Sequence, residues 1–168
     1  MDFTYDAEPT LARLHLSTKW VRYVKGPWGS GKSTGCIFDI LMRAMRQQPK
    51  NGVRRTRWAI IRNTYPELKS TTIKTYERWV PGTVAPVVMS TPIVSHFRQK
   101  MNDGTVVDLE VYFMALDGPE DVKKLLSLEL TGAYINEGRE ISWEIFEGVM
   151  GRINRYPETE KDADGKVT

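Results

Sequence analysis

A glycine-rich stretch near the N-terminus carries the residue types that bind phosphate. Residues 26–34 read Gly-Pro-Trp-Gly-Ser-Gly-Lys-Ser-Thr and fit the G-x-x-x-x-G-K-[ST] phosphate-loop pattern at every fixed position. Glycine permits turns in which successive N–H groups converge on a phosphate. We expect Lys32 to neutralise the β- and γ-phosphates of ATP, and the Ser33 hydroxyl to ligate Mg²⁺. The residues expected to contact the nucleotide are Gly26, Gly29, Ser30, Gly31, Lys32, Ser33 and Thr34.

A second polar group follows an apolar segment about 100 residues downstream of this loop. Leu128 to Ile135 predicts a strand, and Asn136 and Glu137 come directly after it. ATP hydrolysis needs a carboxylate that orients and polarises the attacking water, and Glu137 suits that role. Asn136 stands where the residue linked to the metal is usually Asp. Its amide oxygen can accept from a metal-bound water, but it brings no charge. We therefore predict Glu137 and Lys32 as catalytic residues, with Mg²⁺ held by Ser33 and, through water, by Asn136.

Alternating strands and helices are predicted to position the residues of the phosphate loop. Trp20–Lys25 alternates like a strand that enters the phosphate loop, and Thr34–Gln48 predicts the helix that leaves it. Arg57–Arg62 predicts a second buried strand, followed by a helix that begins at Pro66 and ends before Pro81. Since open α/β sheets bind ligands at the carboxyl ends of their strands, the polar residues after this second strand are predicted at the ligand edge.

The second half of the chain adds an antiparallel hairpin. Ile93–Lys100 and Thr105–Leu116 flank Asn102-Asp103-Gly104, a strong hairpin signal. The second arm alternates apolar and polar residues, so Asp108 and Glu110 are predicted on a solvated face and not as a catalytic pair. Further helices are predicted after Gly118 and over residues 143–153, and the charged residues 158–166 predict a loop.

Composition favours one soluble globular domain. The chain has 168 residues, of which 40% are hydrophobic, which is ordinary for a domain with its own core. The single cysteine, Cys36, excludes a disulfide framework and is predicted to be a buried packing residue. No apolar run approaches the roughly 18 residues of a membrane span. We therefore expect a cytoplasmic protein without a membrane partner.

Charge divides unevenly along the chain. Residues 1–100 hold 17 Lys and Arg against 6 Asp and Glu, whereas the remainder holds 7 against 15. Such asymmetry is compatible with a basic face for a polyanion. The densest cluster comprises Lys50, Arg54, Arg55 and Arg57. A solvated loop and a nucleic-acid contact both remain open for it, because sequence gives a line and not a face.

Taken together, the motifs resemble the N-terminal ATPase part of the large terminase subunit of tailed bacteriophages, the motor that packages double-stranded DNA into a procapsid. The resemblance runs from Val21 to Pro157. Besides residues 26–34, it rests on residues 61–68 (Ile-Arg-Asn-Thr-Tyr-Pro-Glu-Leu), residues 125–137 and the tail Gly-Arg-Ile-Asn-Arg-Tyr-Pro at 151–157.

The resemblance implies a phosphate-loop NTPase of the ASCE type: an α/β fold with a mainly parallel central sheet flanked by helices and an inserted antiparallel hairpin. It implies Mg²⁺-dependent ATP hydrolysis in the cytoplasm of the infected bacterial host. It also implies assembly as a homo-oligomeric ring, with double-stranded DNA, the portal protein and the small terminase subunit as partners. Residues 1–168 would form one ATPase domain truncated at its C-terminus, without the family's coupling segment and nuclease domain.

Two residue-level departures from the family affect the expected site. Many members carry Arg inside the phosphate loop, whereas residues 27–30 here contain none. A charge that stabilises the transition state must then come from elsewhere, including a neighbouring subunit. The candidates for a trans-acting or sensor charge are Arg62, Lys124, Arg139, Arg152 and Arg155. Asn136 in place of Asp makes the metal depend more on Ser33 and on the nucleotide.

Two alternative functions stay open on the sequence alone. In a small-molecule kinase of the phosphate-loop class, Arg152 and Arg155 would clamp phosphate as lid residues. In a truncated nucleotide-binding module, ATP would bind without turnover.

Overall fold

The fold is a five-stranded mixed sheet with helices on both faces. The computed structural model describes residues 5–158, so most of the loop predicted over 158–166 lies outside the described residues. The strands are β1 (Val53–Arg62), β2 (Val87–Val88), β3 (Ile93–Lys100), β4 (Val106–Ala115) and β5 (Gly132–Ile135), in the spatial order β2-β3-β4-β1-β5.

The pairing of the strands corrects one feature of the predicted fold. β1 is parallel to both β4 and β5, whereas β3 is antiparallel to both β2 and β4. The α/β class is as predicted, but the sheet is half parallel and half antiparallel instead of mainly parallel. The reason is that the hairpin β3-β4 is built into the sheet, since its second arm pairs with β1 along the whole length of that strand.

β1 is the strand on which both halves of the core meet. Trp58 and Ile60 face one core cluster, and Ala59 and Ile61 face the other. A strand that is buried on both faces needs a continuous apolar run, which this segment supplies. Arg62, at the end of β1, lies opposite the last residue of β4, and Ile61 lies opposite the last residue of β5. The polar residues that follow these parallel strands therefore gather at one edge of the sheet.

Helices cover the two faces of the sheet. α1 (Pro9–Leu16) packs on α2 (Lys32–Arg46), and α2 shares the first core with a helical segment made of α3 (Tyr65–Glu67), a π-helical turn (Leu68–Ile73) and α4 (Lys74–Trp79). α5 (Val122–Leu126) and α6 (Trp143–Met150) cover the second core. Short 3₁₀ turns span Pro119–Asp121 and Gly138–Glu140. None of the helices within residues 5–158 is both long and apolar enough to cross a bilayer.

The strand predicted at Trp20–Lys25 is not part of the sheet. These residues are irregular, and no strand among residues 5–158 pairs with them. The segment is tied down by a side chain instead, because Arg22 Nη1 donates to Asp39 Oδ2 on α2 at 2.7 Å. Residue alternation indicates a preference for extended backbone, but it cannot supply the neighbouring strand that makes a β-strand.

Several boundaries also differ from those predicted. α2 begins at Lys32, two residues earlier than predicted, and β1 begins at Val53 instead of Arg57. β5 is limited to Gly132–Ile135. The residues before it belong to a connection, in which the Leu130 N–H donates to the Arg152 carbonyl at 3.0 Å.

Candidate active site

The glycine-rich loop encloses the ammonium group of its own lysine. Lys32 Nζ donates to the carbonyl oxygens of Gly26 and Pro27 at 2.9 and 2.6 Å, and to Ser30 Oγ at 3.2 Å. Ser30 Oγ in turn donates to the Pro27 carbonyl at 2.7 Å. A lysine ammonium has three donors, and all three are directed at oxygen atoms of the loop. The positive charge is therefore held inside the concavity of the loop.

The backbone of the loop explains its glycines. Gly29 and Gly31 have φ of 75° and 73°, in the left-handed region that other residues rarely adopt. Gly31 is the N-cap of α2, and no side chain caps that helix end. The first N–H groups of a helix have no intrahelical partner, and the helix dipole places partial positive charge there. This end of α2 therefore suits an anionic ligand.

Gly35 matters for a different reason, which the motif did not reveal. A Cβ on Gly35 would lie 2.6 Å from Leu11 Cδ2. α1 therefore packs directly on the first turn of α2, where there is room for the hydrogen of a glycine but not for a side chain. Close helix packing of this kind depends on tertiary contacts, so local pattern could not predict it.

Tyr134 connects the glycine-rich loop to the end of β5. Its hydroxyl donates to Asn136 Oδ1 at 2.9 Å, and its phenol also interacts with the Ser33 side chain. Burial raises the pKa of Tyr134 above its ordinary value, so the phenol stays protonated. Tyr134 therefore interacts with both of the residues that the sequence predicts for Mg²⁺, Ser33 and Asn136. Sequence reasoning missed Tyr134.

The amide of Asn136 also binds the π-helical turn. Asn136 Nδ2 donates to Thr72 Oγ1 at 3.0 Å, and Thr72 is buried. π-helical turns are rare and occur frequently at functional sites. Asn136 therefore bridges two elements: its oxygen accepts from Tyr134, and its nitrogen donates to the turn at Leu68–Ile73. One lone pair of its oxygen remains for another donor.

Glu137 lies in a tight turn directly after β5. Its backbone is left-handed, with φ 54° and ψ 53°, and its carbonyl accepts from the Glu140 N–H at 2.9 Å. The carboxylate is partly exposed, and its Oε2 lies 3.5 Å from Arg139 Nε. An exposed carboxylate at the carboxyl edge of the sheet is accessible to water and to a ligand.

Arg62 is turned into the protein at the same edge. Its side chain is only 9% exposed, and Nη2 lies 3.3 Å from both Glu67 Oε1 and Glu140 Oε2. The guanidinium also approaches the Asn136 carbonyl, at 3.5 Å from Nη1. Arg62 is thus in contact with the turn that carries Glu137.

The other candidate charges are distributed over the molecule. Arg139 is exposed beside Glu137, whereas Lys124 on α5 is exposed and paired at 2.6 Å with Asp121, in the 3₁₀ turn before that helix. The backbones of Arg152 and Arg155 are hydrogen-bonded to Leu130, which precedes β5, while Glu137 follows that strand. The backbone of these two arginines therefore lies near the end of β5 opposite to Glu137. This placement does not favour a role for them as lid residues of a kinase.

Thr34 extends the site toward α4. Its hydroxyl oxygen accepts from Trp79 Nε1 at 3.2 Å, and Trp79 packs edge-on against Phe38. Phe38 in turn stacks on Tyr5 at a ring-centroid distance of 4.0 Å. The first turn of α2 is therefore connected to α4 and to the N-terminal segment. None of these three contacts has a sequence signal, because they depend on how three separate segments pack.

A buried ion cluster fixes the segment that enters the loop. Asp39 accepts from Arg22 and from Arg43 at 2.7 and 2.8 Å, and lies 3.3 Å from His15 Nδ1. Burial alone would raise the pKa of Asp39, but the hydrogen bonds from Arg43 and Arg22 outweigh it and hold the pKa below its ordinary value. His15 has a structural role in this cluster.

The basic cluster at residues 50–57 is largely engaged within the fold. Arg54 pairs with Asp103 at 2.7 Å, and Arg57 pairs with Glu110 while its guanidinium lies 4.1 Å from the centre of the Tyr156 ring. An open cleft of about 430 Å³ lies beside it. Because Glu129 and Glu158 line this cleft together with Lys50, Arg55 and Arg57, the charge of the cleft is mixed.

Two further expectations concern chemistry at cysteine and metal. Burial raises the pKa of the Cys36 thiol to about 12, which fits a packing residue and not a nucleophile. Among residues 5–158, no group of three or more His, Cys, Asp and Glu side chains is arranged to hold a metal ion.

The structure is therefore an α/β protein that has a glycine-rich loop with a lysine, an uncapped helix N-terminus at α2 and a carboxylate directly after β5. No protein-family model and no curated protein sequence matches the chain. Among solved structures, its fold is similar to the large terminase from the thermophilic bacteriophage D6E. Crystal form 2 matches with a TM-score of 0.56 at 14% identity, over 77% of this chain and 30% of that chain. Crystal form 3 matches with a TM-score of 0.56 at 12% identity, over 88% of this chain and 35% of that chain.

The likeness establishes a terminase-like fold. At 12% and 14% identity it concerns the fold alone. The chain spans about a third of the length of the solved chains that it matches.

Proposed function

We propose that the chain is a Mg²⁺-dependent ATPase domain of a motor that packages double-stranded viral DNA. The observation that carries the ATPase proposal is that Tyr134, which donates to Asn136 next to Glu137, also interacts with Ser33 of the lysine-bearing loop. This supports placing the loop and the carboxylate in one site. The DNA-packaging part rests on the terminase-like fold and on the sequence resemblance.

The residues at this edge fit a nucleotide triphosphate. The uncapped N-terminus of α2 offers N–H groups to phosphate oxygens, and Lys32 holds three donors inside the loop. Phosphate oxygens are suited to replace the carbonyl oxygens that now accept from Lys32, because charge-assisted hydrogen bonds are stronger than neutral ones. Mg²⁺ takes oxygen ligands and keeps several waters, which Ser33 and the free lone pair of Asn136 can accommodate.

Each residue then has a defined role in hydrolysis. When bound, Mg²⁺ neutralises charge that develops on the phosphate oxygens. Lys32 adds a positive charge beside the same oxygens, and Ser33 and Asn136 hold the metal and its waters. Glu137 orients the attacking water and accepts its proton, which its exposure to solvent permits.

The remaining partners follow from the motor hypothesis. We infer a homo-oligomeric ring that contacts the portal protein and the small terminase subunit. Arg139 is the strongest of the candidates for a charge shared between neighbouring subunits, because its side chain is 68% exposed and already lies beside Glu137. The Lys124 side chain is also exposed, but it pairs with Asp121 and not with Glu137.

Steady-state ATP hydrolysis across protein concentration, with and without double-stranded DNA, tests the proposal. Lys32→Ala and Glu137→Gln should each lower turnover by roughly 100-fold or more, since general-base and charge-stabilising groups contribute on that order. Lys32→Ala should also weaken ATP binding, whereas Glu137→Gln should retain it. A rise in specific activity with protein concentration would support completion of the site by a neighbour.

Two control variants remove charge elsewhere. Lys100→Ala removes a lysine at the opposite end of the sheet, and Glu147→Gln neutralises an exposed carboxylate on α6. Both should hydrolyse ATP as wild type does. Wild-type turnover in Lys32→Ala would refute the assignment. Binding without turnover in the wild-type chain would instead favour a nucleotide-binding module, and turnover that requires a sugar or nucleoside acceptor would favour a kinase.

A further inference from the structure

Arg62 connects three loops at the carboxyl edge of the sheet. Its side chain contacts Glu67 near the start of the helical segment and Glu140 in the turn after β5. Its backbone carbonyl accepts from the Leu116 N–H at 3.0 Å, at the end of β4. β1 lies between β4 and β5 in the sheet. Arg62, at the end of β1, therefore contacts the segments that follow all three strands.

The electrostatics of this contact are unusually demanding. One guanidinium nitrogen faces two carboxylates at equal distances of 3.3 Å, and the other terminal nitrogen lies 3.5 Å from the Asn136 carbonyl. Within the described part of the chain, Arg62 Nε is buried without a hydrogen-bond partner. Without the guanidinium, the carboxylates of Glu67 and Glu140 would lose the positive charge that they share. The turn that carries Glu140 would keep the Asn136 N–H bond to the Ile61 carbonyl but would lose its ion pair with the end of β1.

That turn holds Glu137 in a conformation that needs support. A left-handed backbone is unfavourable for a residue with a Cβ atom and persists when surrounding contacts impose it. The contacts on this turn include the Glu140 N–H bond to the Glu137 carbonyl, the Asn136 N–H bond to the Ile61 carbonyl at 2.8 Å, the Asn136 side-chain bonds to Tyr134 and Thr72, and the Arg62 side chain. Of these, Arg62 provides the ion pair between the turn and the end of β1.

We propose that Arg62 is a positioning residue that holds the turn Asn136–Glu140 and, with it, the carboxylate of Glu137. The catalytic consequence rests on the proposed ATPase function. Arg62 acts within its own subunit, because a side chain that is 9% exposed and engaged by two carboxylates is not presented to a neighbour. This distinguishes it from Arg139, which lies exposed at the same turn.

Glu67 and Glu140 provide a matched pair of variants for the test. Both carboxylates contact the same nitrogen of Arg62 at the same distance, but only Glu140 belongs to the turn that carries Glu137. Four variants of the whole chain, Arg62→Gln, Arg62→Lys, Glu140→Gln and Glu67→Gln, would be compared by local amide hydrogen exchange and by ATP hydrolysis with separate kcat and KM.

If Arg62 positions the turn, Arg62→Gln and Glu140→Gln should speed exchange at residues 136–141 more than elsewhere. Glu67→Gln should speed exchange mainly at residues 64–68. Arg62→Gln should lower kcat by about 100-fold while KM for ATP stays nearly unchanged, because small misplacement of a reacting group has effects of that size. Arg62→Lys should recover part of the loss, since it keeps the charge but not the forked geometry.

Three results would overturn the proposal. These are wild-type kcat in Arg62→Gln, equal effects of Glu140→Gln and Glu67→Gln on residues 136–141, and exchange that rises uniformly over the chain. Glu140→Gln keeps the test decisive should Arg62→Gln fail to fold. A wild-type chain that neither binds nor hydrolyses ATP would refute the proposed function, and the exchange pattern would still decide whether Arg62 holds the turn.

Discussion

Tyr134→Phe removes one hydroxyl from the centre of the candidate site and tests whether the two halves of the site are connected. In the wild-type chain this hydroxyl donates to Asn136 Oδ1 at 2.9 Å and interacts with Ser33. Phenylalanine keeps the ring and its packing. The change therefore isolates the polar link.

The size of the effect follows from the hydrogen bond that is lost. A typical intramolecular hydrogen bond contributes about 1 kcal/mol net to stability. Asn136 keeps its second bond, to Thr72 at 3.0 Å, so its amide is not left without a partner. We expect the free energy of unfolding to fall by about 1 to 1.5 kcal/mol. If the same link couples Ser33 to Asn136 at the metal, the Mg²⁺ concentration for half-maximal hydrolysis should rise about fivefold, the equivalent of about 1 kcal/mol.

Tyr76→Phe is the matched control. The Tyr76 hydroxyl donates to Ser95 Oγ at 3.2 Å in the core, and burial raises its pKa to about 12, so it is also a protonated, buried phenol. Its loss should lower stability by a similar amount, about 1 kcal/mol, without changing the Mg²⁺ dependence. Urea unfolding measures the first quantity, and ATP hydrolysis titrated with Mg²⁺ measures the second.

The comparison refutes the reasoning if the two variants behave alike. Equal stability loss with an unchanged Mg²⁺ dependence in Tyr134→Phe would mean that Ser33 and Asn136 do not act through the phenol. An unchanged stability in Tyr134→Phe alone would mean that the bond to Asn136 has no net value in the folded chain.

Three other perturbations have defined outcomes. Gly35→Ala should cost about 1 to 3 kcal/mol by overpacking against Leu11, and Leu11→Ala in the same chain should make the double variant less destabilised than the sum of the two single variants, as measured by urea unfolding. Asp39→Asn should lower stability by about 3 kcal/mol at pH 7. Because the folded pKa of Asp39 lies below its ordinary value, this contribution is present above about pH 4 and lost as pH falls through the folded pKa, so the two chains should differ less at pH 3; a constant difference would contradict it. Cys36 should react with a maleimide at pH 8 far more slowly than in the urea-unfolded chain, because its folded pKa is about 12, and equal rates would contradict this.

The parts of the fold that were predictable are those fixed by local pattern. The apolar run in β1, the turn at Asn102-Asp103-Gly104 and the helix after the glycine-rich loop each have a short-range cause, and each is present. The loop was identifiable because glycine and lysine spacing is itself the chemical requirement. Trp20–Lys25 shows the limit of local pattern, since alternation cannot specify a partner strand.

The contacts that join the site could not be predicted in the same way. Tyr134 interacts with Ser33 because the fold brings β5 beside the start of α2, although the two residues are far apart in the sequence. Thr72 reaches Asn136 because a π-helical turn lies within a segment whose sequence predicts an ordinary helix. Arg62 was expected at the edge of the sheet, but its inward orientation depends on Glu140, 78 residues later. Each of these contacts is a product of topology and not of spacing.

The amide at position 136 illustrates how structure changes the meaning of a sequence departure. On the sequence alone, Asn in place of Asp is a loss of charge next to the metal. In the fold, Asn136 needs both an acceptor for Tyr134 and a donor for Thr72. Ionised aspartate has no donor and could not make the second bond unless the Thr72 hydroxyl turned to donate. The amide is therefore suited to bridging β5 and the π-helical turn.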